Sequence, residues 1–154
     1  MPQLNAMEDF RRDISHRTLR RNDGTILLTA TMNDRFHDIH LEVVVDAETL
    51  TVNSAFVEFR KAPSLHCPNA ALRLEQLTGL VIGRGLNRRV MELSGGEKGC
   101  GNLRTLLIGL LPLAMNVKAA AGIDDEQELL EMIHNRLVGS CAGYAQPLPP
   151  QDNG

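Results

Sequence analysis

From Thr25 to Val45 the apolar residues fall on every second position, and after Lys61 they recur at helical spacing instead. That change of period is the strongest constraint on what the chain can fold into. In TILLTATMN, Ile26, Leu28, Ala30 and Met32 share one face of a strand, and Ile39, Leu41, Val43 and Val45 repeat the pattern. Asn22-Asp23-Gly24 is a hairpin-type turn, which sets a further strand, roughly Ser15–Arg21, beside the first. Leu50–Phe59 is another strand, with a slip of period near Ser54–Phe56 that a bulge would produce. An antiparallel meander of three or four strands with one apolar face is expected.

Beyond Lys61 the signals are helical. Pro68 suits a first helical position, which makes Cys67 an expected N-cap, and Ala70, Ala71, Leu74 and Leu77 form a stripe before Gly79. A short helix is expected around Asn87–Leu93. The longest should open at Cys100 or Gly101, carry Leu103, Leu106, Leu107, Leu110, Ala114 and Val117, and kink at Pro112. A last helix starts at Asp124 with acids in its first turn and closes on His134, Arg136 and Gly139. The fold class is α+β, a meander followed by three or four helices packed on one sheet face. A single domain over 14–144 is expected, with an extension at 1–13 and a disordered tail at 145–154.

Composition narrows function by exclusion. The 154 residues include four Phe, one Tyr and no Trp, too few rings for a base-stacking platform. With a net charge of −3, no nucleic-acid partner is expected. No membrane partner is expected either, because no stretch reaches the ~18 apolar residues of a span. MPQLNAMEDFRRD lacks the apolar core of an export signal, so a cytoplasmic protein with reduced thiols is expected. Basic Arg11, Arg12, Arg17, Arg20 and Arg21 contrast with acidic Asp124, Asp125, Glu126, Glu128 and Glu131. Such asymmetry points to a protein partner or a homo-oligomer.

Chemistry, if present, should gather at the cysteines. Cys67, Cys100 and Cys141 each border a helix, and His66 adjoins the first. Three thiolates and an imidazole suit zinc or an iron–sulfur cluster, although no C-x₂-C pair exists. The loop around Cys100, with Gly95, Gly96, Lys98, Gly99, Gly101 and Asn102, is an anion-binding candidate because glycines let backbone N–H groups converge at a helix start. It is not a Walker loop, since Lys98 is not followed by Ser or Thr. Arg84, Arg88, Arg89, Lys98 and Arg104 surround it in sequence. Alternatively, Cys100 is a nucleophile with the N–H groups of Gly101 and Asn102 as oxyanion donors. The plain reading is that all three thiols are small buried hydrophobes.

The order DGTILLTATMND, FHDIHLEVVVD, Cys67, LTGLVIGRGLNRRV, GEKGCGNLRTLL and SCAGYA resembles a bacterial family called domain of unknown function 2889, over about residues 14–144. Cys67, Cys100, Cys141 and the pair His37-Asp38 fit its pattern. That family usually carries His where this chain has Asn102 and again where it has Ala142, so both histidines are lost here. The order of meander, Cys, helix and Gly-Cys-Gly is also similar to iron–sulfur assembly scaffolds, which would make the thiols a cluster site. Together these readings imply a non-enzymatic accessory protein that holds a metal or cluster, or docks a partner.

Overall fold

The computed structural model describes residues 1–150 and divides the chain into two compact units, Met1–Ala119 and the residues from Ala120 onward. The first unit is built on strands β1 (Arg12–Arg20), β2 (Thr25–Asp34), β3 (Asp38–Asp46) and β4 (Val52–Lys61). They form one antiparallel sheet in the order β1-β2-β3-β4, the four-stranded form of the expected meander. Alternation is why these segments pair in this register. Ile26, Leu28, Ala30 and Met32 lie opposite Val45, Val43, Leu41 and Ile39, and all eight are fully buried. A shift of one residue would turn that entire row to water.

The slip of period in β4 is real but is offset from Ser54–Phe56. Pairing runs Val44↔Ser54 then Val45↔Val52, and Asp38↔Lys61 then Ile39↔Phe59, so Asn53 and Arg60 are the extra residues. The bulges fall at the two ends of β4, where the strand bends against β3.

One sheet face is covered by α1 (Leu86–Ser94), α2 (Gly101–Leu110) and α3 (Leu113–Ala119), together with a 3₁₀ segment, Cys67–Leu77. Leu103, Leu106, Leu107 and Leu110 are the buried side of α2, joined by Val90 and Leu93 of α1 and by Leu74 and Leu77. Each such leucine taken out of water contributes about 1.5–3 kcal/mol. The opposite sheet face is open, with Leu19 and Phe56 about half exposed.

Three local expectations are corrected. Cys67 is the first residue of the 3₁₀ segment, and His66 holds the cap position without a side-chain cap bond. The i→i+3 bonds Cys67 N–H to Ser64 and Asn69 N–H to His66 start this tighter turn one residue early. At Pro112 the helix breaks into α2 and α3, because proline has no N–H and its ring collides with the turn before it. The longest helix is consequently α4 (Glu126–Leu137), 12 residues in the second unit.

Two glycines permit close approach. A Cβ on Gly99 would lie 2.0 Å from the Ser94 carbonyl oxygen, and one on Gly109 would lie 2.5 Å from the His16 ring. Gly109 therefore lets α2 come down on β1.

In the second unit Asp125 caps α4, its carboxylate accepting the Glu128 N–H at 2.7 Å. His134 meets Tyr144 edge-on at 5.2 Å and contacts the Gln146 carbonyl at 2.7 Å. Of the tail expected at 145–154, residues 151–154 lie outside the described residues.

Because Leu107 is fully enclosed between helix and sheet, Leu107→Ala is expected to lower the unfolding free energy by about 2–5 kcal/mol. Urea titration should show a lower midpoint with an unchanged slope.

Candidate functional site

The densest polar cluster lies at the corner where β2 turns into β3. Asp34, the last residue of β2, has no side-chain exposure. Its carboxylate accepts the N–H groups of Phe36 and His37 at 2.8 Å each, an Asx-type closure of the turn. Arg12 Nε reaches it from the neighbouring strand at 2.8 Å, and His37 Nδ1 lies at 2.9 Å. Burial raises the Asp34 pKa, but the Phe36 N–H, the His37 ring, Arg12 and the His37 N–H together hold it well below the usual carboxylate range.

An ionised carboxylate only accepts, so His37 Nδ1 is assigned the proton facing Asp34. Nε2 then accepts from the Asn102 side-chain amide, 3.1 Å away near the start of α2. The result is a continuous chain, Arg12–Asp34–His37–Asn102, joining β1, the β2–β3 turn and α2. Phe10 and Phe36 stack over this corner at 6.2 Å, and the Arg12 guanidinium lies 5.7 Å from the Phe10 ring. Two of the five aromatic side chains are thus gathered here.

Sequence reasoning missed Asp34 and Arg12. The pair marked as His37-Asp38 is, in space, His37 with Asp34. Asp38 opens β3 opposite Asn33 and Lys61. The available signal was an acid three residues before His37 at a turn between two alternating strands.

The cysteines occupy different settings. Cys67 is half-buried beside exposed His66, and Cys100 is half-buried against the core, with a void of about 10 Å³ between it, Arg73 and Leu74. Cys141 is exposed and caps a 3₁₀ turn, Ala142–Tyr144, within the second unit. Among the described residues no group of three or more His, Cys, Asp or Glu is arranged to hold a metal ion. No hydrogen bond among them links Cys100 to a base, because His37 faces Asp34 and Asn102.

In the Gly-rich loop, Gly99 N–H bonds the Gly96 carbonyl and Gly99 packs on Ser94, so part of its donor set serves the turn itself. Gly95 follows α1, Gly96 has φ +70°, Lys98 is exposed, and Gly101 and Asn102 open α2. Arg88 and Arg89 turn to Glu92 at 3.0 and 3.3 Å.

A four-stranded antiparallel meander with helices on one face, locked at its corner by buried Asp34 and half-buried His37, defines the architecture as α+β. The model of a family described as protein of unknown function (DUF2889) matches residues 10–116. That is more than half of the chain, and the chain belongs to this family. The match starts at Phe10 and contains the whole corner, Cys67 and Cys100, whereas Cys141 and the SCAGYA segment lie beyond it. No curated protein and no solved structure matches the chain, so the likeness to iron–sulfur scaffolds finds no support there. No helix among the described residues is long and apolar enough to cross a membrane.

Two outcomes follow from this geometry. Asp34→Asn removes a buried acceptor for several donors and is expected to cost about 1–3 kcal/mol. Because the folded pKa lies below the unfolded one, the stability that Asp34 contributes is complete above ~pH 4 and is lost as pH falls toward the folded value. Denaturation followed down through that range should show wild type losing more stability than Asp34→Asn, whereas parallel curves would contradict the assignment. In alkylation of the native protein, Cys141 is expected to react first, with Cys100 protected until unfolding. Mass spectrometry of the modified peptides reads the order.

Proposed function

We propose that the chain is a non-enzymatic accessory protein of the cytoplasm that works by docking to protein, and that its first partner is a second copy of itself. The observation that carries this reading is α4. It spans 12 residues and none of them is buried. Helices of ~12–15 residues are marginal in water on their own, so α4 gains from a covering surface. Its cap and terminal charges supply only about 1 kcal/mol each. Leu130, Leu137 and the following Val138 are between 40% and 51% exposed, an apolar edge beside acidic Asp124, Glu126 and Glu128.

The complementary chemistry is on β1. Arg17 and Arg20 make no ion pair among the described residues, while Arg11 and Arg12 are held by Asp13 and Asp34. Leu19 is exposed on the same open face as Arg17, whereas Ile14 and Arg20 lie on the other face of the strand. A reciprocal pair, with α4 of each copy along the open face of β1 of the other, would bury Leu19 against the apolar edge of α4 and set acids against Arg17. Two equivalent contacts close such a dimer and prevent growth into a fibre.

The thiol readings have weaker support. A metal or cluster held by Cys67, Cys100, Cys141 and His66 requires ligands to converge, and no group of three is arranged to do so among the described residues. A Cys100 nucleophile requires a base, and among the described residues no hydrogen bond joins Cys100 to one, His37 being directed to Asp34 and Asn102.

Sedimentation velocity across a concentration series tests the proposal. A species of twice 17.0 kDa is expected to grow with concentration, and to weaken with added salt as the surface charges are screened. Leu130→Glu/Leu137→Glu is expected to weaken it about tenfold or more while circular dichroism stays unchanged. A folded wild type that is monomeric throughout, or a dimer insensitive to the double variant, overturns it.

A further inference from the structure

We infer that the outer edge of β1 pairs antiparallel with β1 of a second copy, about a twofold axis at Ser15, so that two four-stranded sheets join into one. The pairing rests on the self-association proposed above and specifies its geometry, because α4 takes the open face of β1 and the edge of that strand is a separate surface.

β1 ends one side of the sheet, and all of its residues except half-buried Thr18 are exposed. The N–H of Arg21, just beyond the strand, is directed at the Thr25 carbonyl at 2.9 Å. Backbone groups alternate in direction along an antiparallel strand, so those of Leu19, Arg17, Ser15 and Asp13 also point to β2. Those of Arg12, Ile14, His16, Thr18 and Arg20 therefore point outward. Among the described residues no hydrogen bond reaches these outward groups. The opposite edge differs: Gly79 N–H bonds the Val52 carbonyl and Val52 N–H bonds the Leu80 carbonyl, each at 2.8 Å, so a loop covers the start of β4. An uncovered edge strand is a template for another strand.

Charge selects both the occupant and the register. Asp13, Ser15 and Arg17 lie on the open face, opposite Asn33, Thr31 and Thr29 of β2. With the axis at Ser15, Asp13 of each copy faces Arg17 of the other, and Ser15 faces itself. These are the non-hydrogen-bonded positions of the new strand pair, where facing side chains are closest and opposite charges stabilise. The hydrogen-bonded positions join Ile14 to His16 and Arg12 to Thr18. An axis at His16 would set Arg12 against Arg20, and one at Ile14 would set Arg11 against Arg17, both like-charge pairs. Arg17 has no ion pair among the described residues, and Asp13 is held by exposed Arg11, a surface contact that contributes little. A guanidinium carries five donors, so Arg17 can meet Asp13 and an acid of α4 together.

Cross-linking and amide exchange test the pairing. Facing Cα atoms at a non-hydrogen-bonded position lie ~4.5 Å apart, within the ~4.4–6.8 Å that a disulfide spans. A Cys141→Ser background removes the exposed native thiol. In it, Ser15→Cys treated with diamide at dimer-forming concentration is expected to give a covalent dimer whose peptide map joins position 15 to position 15. Thr18→Cys is expected to give none. In the wild type, the amides of Ile14, His16 and Thr18 are expected to exchange about tenfold or more slowly in concentrated than in dilute protein, while those of Ser15 and Arg17, already bonded to β2, change less. A dimer seen by sedimentation that lacks the cross-link or that alternation overturns the edge pairing and leaves self-association through α4 standing. A protein that is monomeric throughout overturns both. Thr18→Cys cross-linking as readily as Ser15→Cys overturns the register. Full protection of Ile14, His16 and Thr18 in dilute monomer would mean that a segment of the same chain covers the edge, and would also overturn the pairing.

Discussion

Everything else in the first unit rests on the burial of one sheet face under α2. Eight side chains of β2 and β3 are removed from water together, and four leucines of α2 close over them. Because side chains alternate along a strand, that contact fixes the register of the central pair, and with it the position of every turn. The β2–β3 turn is therefore held where Asp34 can reach Arg12, His37 and two backbone N–H groups at once. The corner network is a consequence of the core and in turn pins the start of α2 through Asn102.

That order of dependence explains why the polar cluster reads as a lock. Asp34 is enclosed and its acceptor capacity is used by partners within the chain, while His37 is held on both ring nitrogens. A catalytic base needs a nitrogen directed at a reacting group, and Nε2 is directed at an amide. The features that lack partners lie elsewhere. Among the described residues they include the exposed apolar residues of α4, Arg17 and Arg20 of β1, and the buried Nε of Arg73. Exposed apolar residues on α4 and an arginine without a partner carboxylate both favour recognition over bond-making.

The strands were legible in the sequence because alternation has one physical cause, a half-buried sheet face. The Asn22-Asp23-Gly24 turn and a disturbance of the helix at Pro112, though expected as a kink and not a break, were legible because proline and glycine act on the backbone directly. The length of each half-helix was not, since a kink and a break differ only in how far neighbouring packing holds the chain together. The corner was hidden for another reason. Asp34 and His37 are close in sequence, but Arg12 and Asn102 reach them through strand pairing and helix docking, which no local pattern encodes. Counting cysteines gave their helix-edge positions correctly. It gave neither the packing of Cys100 against the core nor the assignment of Cys141 to the second unit. The bulged residues show the same limit: Asn53 lies one residue from the expected slip at Ser54–Phe56, while Arg60, four residues beyond it, left no signal in the periodicity.

The central claim is that α4 acquires its cover from another copy of the chain. Hydrogen–deuterium exchange of the α4 amides at rising protein concentration addresses this directly, because a 12-residue helix without a partner surface exchanges through ready local opening. The account predicts protection of Glu126–Leu137 that increases with concentration, accompanied by new protection along Arg12–Arg20. Protection of α4 that is already complete in the dilute protein and does not change with concentration would contradict it.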